Sequence, residues 1–104
     1  MPDFSAEVPH GLGKDAAVER LKNFLDRIQE DFKDQVSHLE GEWSENVLTF
    51  SLTSYGFNIN GTLTAEEDVA RIAGKLPFAA AMFRGKIENS MAKELQKVLG
   101  GNNE

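Results

Sequence analysis

The sequence predicts an α+β domain of order α-β-β-β-β-α, a four-stranded antiparallel meander with two helices packed on one face. Three observations carry that reading. Apolar residues recur every three or four positions near the start, alternate one by one through the middle, and return to helical spacing at the end. The breaks between alternating segments hold two, two and four residues, and even-length loops keep one set of side chains on one face across the whole sheet. Pro77 marks where alternation stops and the last helix begins, since a first-turn proline forfeits no intrahelical hydrogen bond.

Residues 1–12 contain Pro2, Pro9 and Gly11 without periodicity, and read as a flexible N-terminal arm ahead of a single domain over 13–99. From Lys14 the pattern turns helical. Ala17, Leu21, Phe24, Leu25, Ile28 and Phe32 form one stripe, so a single helix is expected as far as Lys33. Lys22–Asp26 and Arg27–Asp31 place opposite charges at i,i+4 on its outer surface.

Four strands are expected at Val36–Trp43, Val47–Ser54, Phe57–Thr64 and Val69–Leu76. Their inward residues are Leu39, Gly41 and Trp43; Leu48, Phe50 and Leu52; Phe57, Ile59, Gly61 and Leu63; and Ala70, Ile72, Gly74 and Leu76. A turn at Glu45-Asn46 pairs Trp43 with Leu48, Gly41 with Phe50 and Leu39 with Leu52. A turn at Tyr55-Gly56 pairs Leu52 with Ile59, Phe50 with Gly61 and Leu48 with Leu63. A loop over Ala65–Asp68 pairs Leu63 with Ala70, Gly61 with Ile72 and Ile59 with Gly74. Phe50 then lies between two glycines. That leaves space for its ring; inward glycines otherwise weaken strands, so they read here as a curved sheet or a closely approaching helix in preference to bulges. The outward rows, such as Glu42, Thr49, Thr62 and Arg71, are polar throughout, leaving helices to cover the other face alone.

The final helix is expected from Pro77 to Leu99, with Phe83, Ile87, Met91, Leu95 and Val98 as its stripe. Lys93 and Lys97 lie near its negative end, and Gly100 suits the position after it. Its first two turns, Phe78 to Phe83, are apolar on every side, so a second face there needs a partner surface. Two fates are open. Phe78, Met82 and Phe83 divide between the sheet and the first helix as core, or they join Arg84 and Lys86 in an apolar patch that docks on something else. Gly85 inside a helix costs about 1 kcal/mol against Ala and points to a close contact. Residues 100–104, Gly-Gly-Asn-Asn-Glu, read as a disordered tail.

Composition narrows the function. Seventeen acidic against eleven basic residues give a net charge of −6, with no Lys/Arg stripe to bind nucleic acid. Cysteine is absent, which removes disulfides, thiol catalysis and thiolate metal sites. The longest apolar run, Leu76 to Phe83, is far too short to insert across a bilayer. Acid stands at the N-terminus where a signal peptide needs base, so a cytoplasmic address is expected.

Candidates for chemistry are sparse. His38, Glu40 and Glu42 share the outward face of the first strand, but strand-spaced groups do not converge unaided, and a solvated face is the expected reading. His10, in Val-Pro-His-Gly-Leu-Gly, is expected to cap or pack at the helix entrance. No nucleophile motif occurs, and Glu66-Glu67-Asp68 offers too few ligands for calcium. No catalysis, metal or cofactor is expected.

Four segments together carry a resemblance. They are Val-Pro-His-Gly-Leu-Gly-Lys opening a helix; Leu-Glu-Gly-Glu-Trp; Leu-Thr-Phe-Ser-Leu before Gly-Phe-Asn-Ile-Asn-Gly-Thr-Leu; and Leu-Pro-Phe-Ala-Ala-Ala-Met-Phe-Arg-Gly-Lys-Ile-Glu. Over about residues 8–99 the chain resembles the polyhydroxyalkanoic acid system proteins, small bacterial proteins of storage-polyester loci. The resemblance implies a non-enzymatic accessory role at polyhydroxyalkanoate granules, with storage polyester or a granule protein as partner. The apolar start of the last helix, Phe78, Met82, Phe83, Arg84 and Lys86, is the expected contact, joined by Phe4 and Val8 of the arm. It carries over no catalytic residues. Three alternatives stand beside it. One is a small acyl-ligand domain with a pocket between curved sheet and final helix, lined by Phe50, Ile59 and Met91. The second is an enzyme, which a clustered and desolvated His38 would support. The third is a homodimer through the sheet edges left by the first and fourth strands.

Overall fold

The computed structural model describes residues 3–100. In chain order they form β1 (Phe4–Pro9), α1 (Lys14–Leu21), α2 (Phe24–Asp31), β2 (Val36–Ser44), β3 (Val47–Ser54), β4 (Phe57–Ala65), β5 (Val69–Lys75), a 3₁₀ helix (Phe78–Phe83) and α3 (Arg84–Leu99). The class is α+β and the sheet is antiparallel, but it has five strands in the order β1-β5-β4-β3-β2.

The extra strand is the segment expected as a flexible arm. Phe4, Ala6 and Val8 alternate as strand residues do, and they pair with Gly74, Ile72 and Ala70 of β5. Phe4 is 1% exposed and Val8 4%, so the pattern is short but fully used. Pro9 ends the strand on an edge, where its missing N–H breaks no interior ladder. β1 also covers the strand that was expected as an edge: β5 is interior, and the free edges are β1 and β2. Of the expected tail, residues 101–104 lie outside the described residues.

The first helix is two. Asn23 (φ −90°, ψ 0°) sits outside helical geometry, and its N–H bonds to Arg20 O at 3.2 Å, three residues back. The helix restarts with Arg27 N–H on Asn23 O at 3.0 Å. Both halves lie against α3, and the break lets α1 reach β4 while α2 covers β2, with Leu21 and Phe24 buried on either side of it. Lys22 accordingly pairs with Glu19 at 3.2 Å, whereas Arg27–Asp31 forms as expected at 3.5 Å.

The β2–β3 and β3–β4 registers match the sequence reading pair for pair from Leu39 to Leu63. Tyr55 (φ 52°) and Gly56 (φ 82°) both occupy the left-handed region that a two-residue hairpin turn requires. The β4–β5 register is displaced: Leu63 faces Ile72 and Gly61 faces Gly74. Asn46 causes this. Its carbonyl accepts from Ala65 N–H at 2.9 Å and its Nδ2 donates to Ala65 O at 2.8 Å, which extends β4 by one residue. The loop between the strands therefore moves to residues 66–68, closed by Glu66 N–H on Val69 O, and Ala65 pairs with Ala70. Each partner moves by two, an even number, so both faces keep their residues. On the outside Arg71 now faces Thr64 and Glu7, and it pairs with Glu7 and Glu66.

Gly41, Phe50, Gly61, Gly74 and Phe4 face one another in that order across the five strands. A Cβ on Gly61 would stand 2.9 Å from Phe50 Cζ and 2.8 Å from the Ala73 carbonyl oxygen; one on Gly41 would stand 2.5 Å from Leu25 Cδ1. The glycines make room for Phe50, Phe4 and helix α2, as the packing reading holds. Phe24 meets Phe50 edge-on, ring centres 6.4 Å apart.

The last helix does not start at Pro77. Pro77 stays extended (φ −60°, ψ 151°), the next six residues wind as 3₁₀, and α-helix begins only at Arg84. From there Met91, Leu95 and Val98 are buried as expected, with Leu99 added, and α3 packs chiefly on β1. Gly85 has open space around it and no close contact. Gly100 is right-handed (φ −74°), and the helix end is met instead by Arg20 Nη1 donating to Leu99 O at 2.8 Å.

Candidate functional site

The 3₁₀ turn presents most of its apolar residues to solvent. Ala80 points inward, 1% exposed, and Phe83 is half covered at 46%, while Phe78 is 96% exposed and Met82 81%. A tight turn with three residues per revolution puts one residue in three on the anchored side, and here that side takes the alanine. Arg84 and Lys86 follow, exposed, and neither pairs with an acid among the described residues. The structure thus gathers the five expected residues at one end of the fold, and places Phe78 and Met82 outside the core.

Behind this turn lies a cleft of about 420 Å³ between α2, the ends of β2–β4, the 3₁₀ turn and α3. Its walls are mostly apolar, Ile28, Leu52, Ile59, Ile87 and Met91 among them, with Phe83 and Lys86 belonging to both cleft and patch. Of the three residues named for an acyl pocket, Ile59 and Met91 line this cleft. Phe50 does not, because its ring is spent against Phe24 and the Gly61 backbone.

Sequence reasoning missed the polar residues of this cleft. Glu94 is 3% exposed, the one buried charged residue among those described. Its signal was its phase: it falls on the buried side of α3 with Met91, Leu95 and Val98, where an aliphatic residue would be ordinary. Lys97 Nζ bridges Glu94 Oε2 at 3.5 Å and Asp31 Oδ2 at 3.3 Å, and Arg27 approaches Asp31 Oδ2 at 3.5 Å. Burial, and then the neighbouring Asp31 carboxyl, push Glu94 above the usual carboxylate range. Asp31 is held below it by the hydrogen bond from Glu94, with Lys97 and Arg27 adding to the effect. Glu94 Oε1 and Gln35 Oε1 are both buried without a hydrogen-bond partner.

The remaining candidates disperse. His38 Nε2 lies 3.4 Å from Glu40 Oε1 on the open sheet face, both well exposed, and Glu42 does not join them. His10 Nδ1 accepts from Leu12 N–H at 3.3 Å, a turn cap. Glu66 is engaged by Arg71. Among the described residues no group of three or more His, Asp or Glu is placed to hold a metal ion, and no helix is long and apolar enough to cross a membrane. No curated protein and no solved structure matches the chain. A family profile described as "Putative polyhydroxyalkanoic acid system protein" matches residues 5–99, from β1 to the end of α3, and the chain belongs to that family.

Proposed function

We infer that this chain is a non-enzymatic accessory protein of polyhydroxyalkanoate storage granules, located in the cytoplasm at the granule surface. It contacts polymer or a granule protein through Phe78, Met82 and Phe83, with Arg84 and Lys86 as a cationic rim. Family membership supports the granule association. The observation that carries the contact is the exposure of two large apolar side chains, Phe78 at 96% and Met82 at 81%, on one short turn. A soluble domain gains nothing from wetting such a pair unless a partner covers it.

Co-sedimentation with amorphous polyhydroxyalkanoate particles tests this. Wild type is expected in the pellet and Phe78→Ser/Met82→Ser in the supernatant, with circular dichroism unchanged. Binding only to native granules, and not to bare polymer, assigns the contact to a granule protein; binding to neither removes the reading. Self-association belongs to the same proposal, with β2 as the longer free edge; sedimentation velocity showing a monomer at every concentration would remove it.

A second reading, the acyl-ligand domain, is favoured by the cleft. Its volume lies within the range of small-molecule sites, about 300–1,000 Å³, and its walls are mostly apolar.

A further inference from the structure

We propose that the cleft beneath the 3₁₀ turn binds a single aliphatic chain that ends in a hydroxyl group, its one O–H donated to Glu94 Oε1 or Gln35 Oε1. This rests on the acyl-ligand reading and adds the chemistry of the ligand's inner end. Five cleft residues, Lys86, Ile87, Ser90, Met91 and Glu94, come from one face of α3, so that helix runs along the cleft like a ruler. Lys86 and Glu94 stand two turns apart, roughly 12 Å along the axis. Between them the walls offer Ile87, Met91, Ile28 and Ile59, a path for methylene groups.

The polar atoms at the inner end decide what the chain carries. Glu94 Oε1 and Gln35 Oε1 are acceptors, both buried and both without a partner. A buried acceptor left unpaired is costly, so the ligand that fits best brings a donor. An ester or ether oxygen brings only another acceptor. A hydroxyl brings one O–H, which satisfies one of these oxygens without adding a charge to an apolar cleft. At the other end Lys86 is exposed and unpaired among the described residues, and is suited to a carboxylate at the mouth. A free hydroxy acid and the hydroxyl end of a polyester chain share the inner chemistry and differ at the mouth.

The test is an NMR titration of the ¹⁵N-labelled full chain with octanoate, ω-hydroxyoctanoate and the methyl ester of the latter. The expected result is shifts at Ile59, Ile87 and Met91, with the hydroxy acid binding about tenfold tighter than octanoate. Gln35→Leu and Glu94→Leu should each reduce that preference while octanoate binding persists, and the spectrum reports whether each variant is folded. A methyl ester that binds as well as the acid identifies a polyester chain end as the source; an ester that binds much more weakly identifies the free acid. Equal binding of octanoate and ω-hydroxyoctanoate overturns the hydroxyl inference and leaves the acyl reading standing. No shift with any of the three overturns both.

Discussion

Two phenylalanines flank strand β5 and have opposite fates. Phe4 pairs across from Gly74 and is 1% exposed; Phe78, three residues past the strand's end, is 96% exposed. Their hydrophobicity is the same, so burial is decided by what faces each ring. Phe4 meets a glycine whose missing side chain leaves a seat, and α3 closes over it. Phe78 follows an extended proline into a turn whose inward position is taken by Ala80. One end of the molecule is a set of rings fitted to glycines. The other is a set of rings without seats in this chain.

The largest effects should fall at the fitted end. Phe4→Ala is expected to lower stability by about 3–5 kcal/mol, read as a fall in the urea midpoint, because a fully buried ring leaves a cavity. A loss under about 1 kcal/mol would show that β1 is dispensable and that the contrast with Phe78 is false. Gly74→Ala should cost about 1–3 kcal/mol. Its Cβ would collide with the backbone at Asn60 O and Gly61 Cα, which do not rotate away, as well as with the Phe4 ring. Phe4→Leu combined with Gly74→Ala separates the two collisions: partial recovery assigns the strain to the ring, and none assigns it to the backbone.

Much of the fitted end was legible in the sequence. Parity alone fixed which residues of β2, β3 and β4 face inward and which glycines face Phe50, because alternation and even loops leave little freedom. β1 escaped because Pro2, Pro9 and Gly11 surround it, although Phe4, Ala6 and Val8 carry the same alternation. The β4–β5 offset escaped because it depends on Asn46 reaching Ala65 from a distant turn, a contact that periodicity does not encode. At the other end the five patch residues were legible as a group. Their exposure was not, since an apolar run reads the same whether buried in its own chain or in another. Glu94 was missed for a simpler reason: a lone acid within a helical stripe resembles an ordinary surface residue until its neighbours are placed.

That acid lies between the two ends, and pH should separate it from both. Glu94 is raised above its unfolded value, so its contribution is present at acid pH and is lost as pH rises through its folded value. Asp31 is lowered, so its contribution is present above its unfolded value and is lost as pH falls through its folded value. Lys97 is raised, and its contribution disappears only at alkaline pH. Stability is therefore expected to peak between the Asp31 and Glu94 titrations. On the rising side the loss from one proton is at most about 1.4 kcal/mol per pH unit. Glu94→Gln, which keeps a neutral hydrogen-bonding group, should flatten that side relative to wild type in urea titrations across the carboxylate range. An unchanged slope would mean that Glu94 ionises as freely as a surface acid.

The smallest effect on stability is the most informative for function. Phe78→Ser/Met82→Ser removes two large apolar side chains, yet at the exposures seen here it should change stability by no more than about 0.5 kcal/mol. The same pair of changes at the fitted end would unfold the protein. Ala80→Ser, one turn position away, supplies the internal control: it puts a hydroxyl at the buried anchor and should cost more than both patch substitutions together, about 1 kcal/mol or above. If the double serine variant proves the more damaging, Phe78 and Met82 are seated in solution against this chain, and the patch is core. If stability holds while particles no longer carry the protein down, the unmatched rings are the part of the molecule that meets the granule.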